Sequence, residues 1–184
     1  LCVIIADQAS KLAVKGISLP WAGVSVKGIP IGSSYQLAGD WVRLTFIENP
    51  GMAFGIDLGG KLYLTLFSIA ASIGIFAYLY FVRNEKFLFR LSLALVLGGA
   101  VGNLIDRIFY GVLFGEGSLF YGKVVDFFNI NFLGYHLQRF WVFNVADAAV
   151  TVGVAIMLLF HRSFVKSEET PSSQTESSSQ QTPA

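Results

Sequence analysis

From Leu62 to Val82 the chain runs the width of a bilayer without one charged side chain. A helix of ~20 apolar residues spans the hydrocarbon core of a membrane, and it satisfies its own backbone N–H and C=O groups there. Phe87 to Tyr110 is a second such stretch, with Arg90 near one end and Asp106-Arg107 near the other, and Phe140 to Phe160 is a third, interrupted only by Asp147. Helices of a soluble core are amphipathic, and these runs are not. Composition agrees: 54% of the residues are hydrophobic, 14% are charged, and the mean hydropathy is +0.61. Residues 1–15 are apolar apart from Asp7, Lys11 and Lys15 but stop short of a span, so they read as a first helix whose start is missing. The expectation is an all-α bundle of four transmembrane helices, at 1–15, 61–82, 88–108 and 140–161.

Loop charges orient this bundle. Arg83, Lys86 and Arg90 flank the connection after the second helix, and Arg162 and Lys166 follow the fourth, which puts both on the cytoplasmic side together with the N- and C-termini. The segments 17–60 and 109–139 then lie outside. In the first of them Trp41 to Ile47 and Val24 to Lys27 alternate apolar and polar residues, as a small antiparallel β-sheet resting on the membrane surface would. The tail, 167–184, is rich in Ser, Thr, Gln and Glu and reads as disordered.

An ionisable side chain inside a span is costly, which makes Asp147 a functional residue by default. At ~1.5 Å per residue from Phe140 it would lie about 10 Å below the outer surface. Asp126, in Gly122-Lys-Val-Val-Asp126-Phe127, can fold back over the same rim from the outer connection. Two close aspartates share a proton, so one acts as base toward a water and the other as acid toward a scissile carbonyl. That is aspartic-type peptide hydrolysis, which calls for no metal and no cofactor. With two histidines and one cysteine in the whole chain, a zinc site or a Ser-His-Asp triad is poorly supplied.

Five blocks carry a resemblance: Asp7-Gln8-Ala9-Ser10-Lys11; Glu48-Asn49-Pro50-Gly51-Met52-Ala53-Phe54-Gly55; Gly98 through Gly102-Asn103 to Asp106-Arg107; Val124-Val125-Asp126-Phe127; and Phe143-Asn144-Val145-Ala146-Asp147. In this order they resemble lipoprotein signal peptidase, or signal peptidase II, the aspartic protease family of the bacterial inner membrane. The resemblance implies that Asp126 and Asp147 are the catalytic dyad. It implies that Asn103 and Arg107 line the site, with Asn144 one helical turn from Asp147, and that Asp7 and Lys11 are a supporting pair. Asn49 and Gly51 would anchor the outer sheet near the site. The implied substrate is a prolipoprotein carrying diacylglyceryl on its lipobox cysteine, cut just before that cysteine. Membrane phospholipids and cyclic peptide inhibitors of the globomycin type are the other implied partners; nucleic acid is not, and the chain is expected to act as a monomer. One departure is a longer connection between Arg107 and Asp126, through Gly111 to Tyr121, which reads as a lid. Phe54 and Trp141 would belong to an aromatic rim that admits lipid.

Each block has a plainer reading. Asp7 and Lys11 are four apart and suit an intrahelical ion pair. Asp106 suits a charge snorkelling from a helix end. Gly98, Gly99 and Gly102 suit close helix packing, and Asn103 and Asn144 suit interhelical hydrogen bonds. A small transporter or a noncatalytic assembly factor is the alternative function; a transporter should show internal repeats, which are absent from the sequence.

Overall fold

The computed structural model describes residues 1–19, 23–51, 60–130 and 142–161. Four helices form the core: α1 (Cys2–Lys15), α2 (Lys61–Phe81), α3 (Phe87–Leu113) and α4 (Val145–Leu159). Six strands complete the order, β1 (Gly16–Leu19), β2 (Val24–Lys27), β3 (Ser34–Ala38), β4 (Val42–Asn49), β5 (Val124–Ile130) and β6 (Val142–Phe143). The expected aromatic rim residues Phe54 and Trp141, and the tail at 167–184, lie outside the described residues.

Among the described residues, α2 and α3 are long and apolar enough to cross a membrane, and α4 is a shorter apolar helix. Their burial is inverted relative to a soluble bundle. The buried residues of α2 are Thr65 and Ser72, while Phe67, Ile73, Phe76, Tyr80 and Phe81 face outward. Small and polar residues inside with large apolar ones outside suit a hydrocarbon surround, where close backbone packing and interhelical hydrogen bonds replace the hydrophobic effect between helices. Helices α3 and α4 make the most extensive helix contact. Gly99 permits it, since a Cβ there would lie 2.3 Å from the Ala146 carbonyl oxygen.

The sheet differs from the expected one in two ways. Val24–Lys27 pairs with β1, not with Trp41–Ile47, in a separate hairpin that registers Gly16 with Lys27 and Leu19 with Val24. Closing that short loop costs less entropy than closing a longer one. The main sheet is antiparallel in the order β3-β4-β5-β6, with β5 drawn from the part of the chain read as a plain connection and β6 from residues read as the start of the fourth helix. Register sets Ile47 opposite Asp126 and Asn49 opposite Val124.

Strand β5 is built from β-branched and aromatic residues, Val124-Val-Asp-Phe-Phe-Asn-Ile130, which suit a half-buried pleat. Val125 and Phe127 are buried in a core with Val14, Phe46 and Tyr110. Burying such side chains stabilises by about 1.5–3 kcal/mol each. Because successive side chains alternate in direction, seating 125 and 127 in that core turns Asp126 to the opposite face.

The fourth helix starts later than expected. Val142 and Phe143, read as part of its first turn, form β6, which pairs Phe143 with Phe128, so α4 begins at Val145 and Asp147 falls in its first turn. Asp147 therefore lies at the mouth of the helix and not two turns into it.

Candidate active site

Asn144 caps α4. Its Oδ1 accepts the Asp147 N–H at 2.9 Å and its own N–H donates to Asp147 Oδ2 at 3.3 Å, a reciprocal capping box. The cap holds the Asp147 carboxylate against the turn from β6 into α4. The Asn144 Nδ2 group, left free by this, donates to Asp126 Oδ1 at 2.7 Å and to Asn103 Oδ1 at 3.1 Å.

Asn103, from α3, completes the bridge by donating from Nδ2 to Asp147 Oδ1 at 2.8 Å. Two amides thus join Asp126 and Asp147 in one chain of hydrogen bonds. The orientation of Asn103 is forced, because Lys11 Nζ donates to its Oδ1 at 2.8 Å. An ammonium has donors only, so the amide oxygen must face it and the NH2 must face Asp147.

Beneath the amides lies a dry knot of charge. Lys11 is fully buried and pairs with Asp7 Oδ2 at 2.7 Å and Asp106 Oδ2 at 2.9 Å. Its three N–H donors are therefore all used. Asp7 Oδ1 accepts the Ala146 N–H at 2.9 Å, which ties α1 to the start of α4. Gln8 Nε2 reaches Asp106 Oδ1 at 2.9 Å and the Gly102 carbonyl oxygen at 3.1 Å, and its Oε1 accepts the Tyr110 hydroxyl at 3.0 Å. The intrahelical Asp7–Lys11 pair is present, but it is one edge of a larger network.

Asp106 corrects the snorkelling reading. It is fully buried, and its Oδ2 also accepts the Val125 N–H at 3.1 Å. A π-helical turn at Asp106–Tyr110 widens α3 there. Adjacent residues on a helix point about 100° apart, so Asp106 faces α1 while Arg107 faces the aspartates. The Arg107 guanidinium is half-buried and feels the charges of Asp106, Asp147 and Asp126, with no hydrogen bond or ion pair of its own among the described residues.

Asn49 closes the site from the sheet. Its side chain bonds to Asp126, and its Oδ1 accepts the Gly51 N–H at 2.9 Å. Gly51 has φ 105° and a Cβ there would meet Leu64 at 2.8 Å, so this turn requires glycine. Asp126 is 4% exposed. Burial, then the charge of Asp147, push its carboxyl up to about 7 against the downward pull of Asn144, Asn49 and Lys11. A carboxyl that holds its proton near neutrality beside a second carboxylate can serve as an acid, and the pair can activate a water.

All nine residues singled out in sequence, Asp7, Lys11, Asn49, Gly51, Asn103, Arg107, Asp126, Asn144 and Asp147, converge on this one region. Gln8, Asp106 and Tyr110 were missed as members. The signal for them was weak: Gln8 and Asp106 lie within the quoted blocks, but their partners are on other elements.

A model of the family described as Signal peptidase (SPase) II matches residues 1–163. The lipoprotein signal peptidase of Porphyromonas gingivalis is 33% identical over 188 residues, covering 85% of this chain and 78% of that protein. That of Chlorobium phaeobacteroides (strain BS1) is 32% identical over 168 residues, covering 88% and 92%. A bacterial membrane enzyme solved by the in meso method at 2.3 Å resolution superimposes with a TM-score of 0.62 at 26% identity, over 94% of this chain and 90% of that one. A second, at 1.9 Å resolution, gives 0.59 at 28% identity, over 92% and 90%.

Proposed function

The chain belongs to the signal peptidase II family and is a membrane-embedded aspartic endopeptidase, and from that premise we propose that Asp126 and Asp147 are its catalytic dyad and diacylglyceryl-modified prolipoproteins its substrates. The observation that carries the dyad is the amide bridge: Asn103 and Asn144 hold both carboxylates in one hydrogen-bonded chain. One carboxylate draws a proton from a water, which attacks the scissile carbonyl just before the lipidated cysteine. The other, protonated, donates to the carbonyl oxygen and then passes its proton to the leaving amine. Arg107, electrostatically tied to the dyad and otherwise uncommitted among the described residues, binds a substrate carbonyl there.

All four helices lie in the membrane with the dyad toward the outer side and both termini cytoplasmic. The loop charges support this orientation, and the outward apolar side chains of α2 support the lipid contact. Phospholipid surrounds the substrate's entry path, and a cyclic peptide of the globomycin type would occupy the dyad in place of substrate. Membership of the family leaves the transporter and assembly-factor alternatives without support.

The test compares the full chain, reconstituted in lipid nanodiscs, with Asp126→Asn and Asp147→Asn on a diacylglyceryl-modified prolipoprotein, with unmodified precursor as control. The expected result is cleavage of the lipidated substrate alone and a loss of roughly a thousandfold or more in each folded variant. Full activity in either variant would overturn the dyad.

A further inference from the structure

The segment between α3 and β5 was read from sequence as a lid, yet it is bound at both ends of the site. On the helix side its backbone folds back onto α3. Gly122 N–H donates to the Arg107 carbonyl oxygen at 2.9 Å and Phe120 N–H to that of Ile108 at 3.1 Å, while Glu116 and Gly117 N–H both donate to the Gly111 oxygen at 2.8 and 3.0 Å. Two of these bonds fall inside the π-helical turn that carries Arg107. Gly122 allows this, since a Cβ there would lie 2.0 Å from the Asp106 carbonyl oxygen.

On the sheet side the segment is held by charge. Glu116 Oε1 pairs with Lys15 Nζ at 2.5 Å, and its Oε2 lies 3.9 Å from Lys123 Nζ. Both lysines also hold Glu48: Lys15 through Glu48 Oε1, and Lys123 through Oε2 at 2.7 Å. Lys15 further lies 4.4 Å from the centre of the Phe114 ring. Glu48 immediately precedes Asn49, whose side chain bonds to Asp126, and Lys123 immediately precedes β5, which carries Asp126.

We propose that residues 114–121 are a brace, and that Glu116 is a positioning residue which sets Arg107 and Asn49 relative to the dyad by tying the end of α3 to the ends of β4 and α1. The inference rests on the proposed roles of Asp126, Asn49 and Arg107. Glu116 touches no reacting atom; it acts through Lys15, Lys123 and Glu48. A brace and a lid make opposite demands. Freeing a lid changes substrate entry or product release, whereas freeing a brace lets reacting groups drift, and a displacement near 1 Å can cost on the order of 10²-fold in rate.

The experiment measures kcat and KM for the nanodisc-reconstituted full chain and for Glu116→Gln on the lipidated prolipoprotein, at low salt and in 1 M NaCl. Thermal stability is followed alongside, and Asp126→Asn is run in the same assay. The brace predicts that Glu116→Gln lowers kcat by about tenfold with KM within about twofold. It also predicts that 1 M NaCl lowers the kcat of the parent and leaves that of the variant nearly unchanged, because screening removes an attraction that the variant already lacks. An unchanged kcat, a raised kcat, a change confined to KM, or equal salt sensitivity in both proteins overturns the brace. If instead Asp126→Asn is active, or the parent does not cut the lipidated substrate, the proposed function has failed and not the brace alone.

Discussion

Two charge clusters stand within a few residues of each other on α1, one built around Lys11 and the other around Lys15. The inner one joins Lys11 to Asp7 and Asp106 with all three side chains fully buried. The outer one joins Lys15 and Lys123 to Glu48 and Glu116, and its Lys123 and Glu116 side chains remain 36% exposed. Similar chemistry therefore has two different consequences. In the dry knot each polar atom counts, since removing a partner strands a charge where no water can replace it. At the rim water and salt stand ready as substitutes, and one exposed pair is worth at most ~1 kcal/mol.

The comparison breaks most sharply at Lys11. Lys11→Met leaves Asp7 and Asp106 together without their cation and frees Asn103 to turn its amide. Loss of about 3–5 kcal/mol, together with loss of cleavage, is expected in nanodisc unfolding and activity assays. A stability change below ~1 kcal/mol would place the inner knot in the same class as the rim.

The next effect has the opposite sign. Asp126 holds its proton up to about 7 in the folded protein, while an ordinary aspartate in the unfolded chain ionises near 4. The favourable contribution of the protonated carboxyl is therefore complete below about pH 4 and is lost as pH rises toward 7. Asp126→Asn, expected to be inactive, should be more stable than the parent at pH 8 by a few kcal/mol, with the gap closing toward pH 4. Thermal unfolding at the two pH values measures this, and a gap that widens on acidification would contradict the burial argument. In the parent, cleavage should decline above pH ~7 as the pair loses its shared proton.

Tyr110→Phe removes a single donor from the inner network and leaves Gln8 Oε1 without it. About 1–3 kcal/mol is expected for a buried acceptor so stranded, read from unfolding at neutral pH. Smallest is Lys123→Gln at the rim, at about 0–1 kcal/mol and less in 1 M salt. The Glu48 carboxyl sits below its ordinary value of 4.5 because the bonds and charges of Lys123 and Lys15 outweigh the upward push of burial. The rim contribution is accordingly present at neutral pH and lost as pH falls below that value, so Lys123→Gln should cost still less in acid.

What could be read from the sequence follows from how local each constraint is. Lipid imposes uninterrupted apolar runs, which is why α2 begins at Lys61 as expected and ends one residue early. Asp147 stood out in the sequence because a carboxylate inside an apolar run has few innocent explanations, whereas Asp126 on its own reads as a solvated loop residue and drew notice through the resemblance. Strand β5 was not, although Val124-Val-Asp-Phe-Phe has strong strand character, because its partner β4 lies far away in the chain and register is a property of the pair. Asp106 was misread for a similar reason. Its neighbour in sequence is Arg107, which invites a surface reading, whereas its cation is Lys11 on the first helix. The late start of α4 turned on Phe143, which reads equally well as helix and instead stacks near Phe128 with ring centres 5.9 Å apart.

The order in which the site's parts occur along the chain has a consequence for synthesis. Lys11 and Asn49 leave the ribosome first, Asn103 follows, and Asp126 and Asp147 come after them. Until the start of α4 has been made there is no Asn144 to join the two acids and no Ala146 N–H to hold Asp7. A nascent chain stalled short of α4 therefore carries the supports without the proposed dyad, and cleavage is expected only from chains in which α4 has been made.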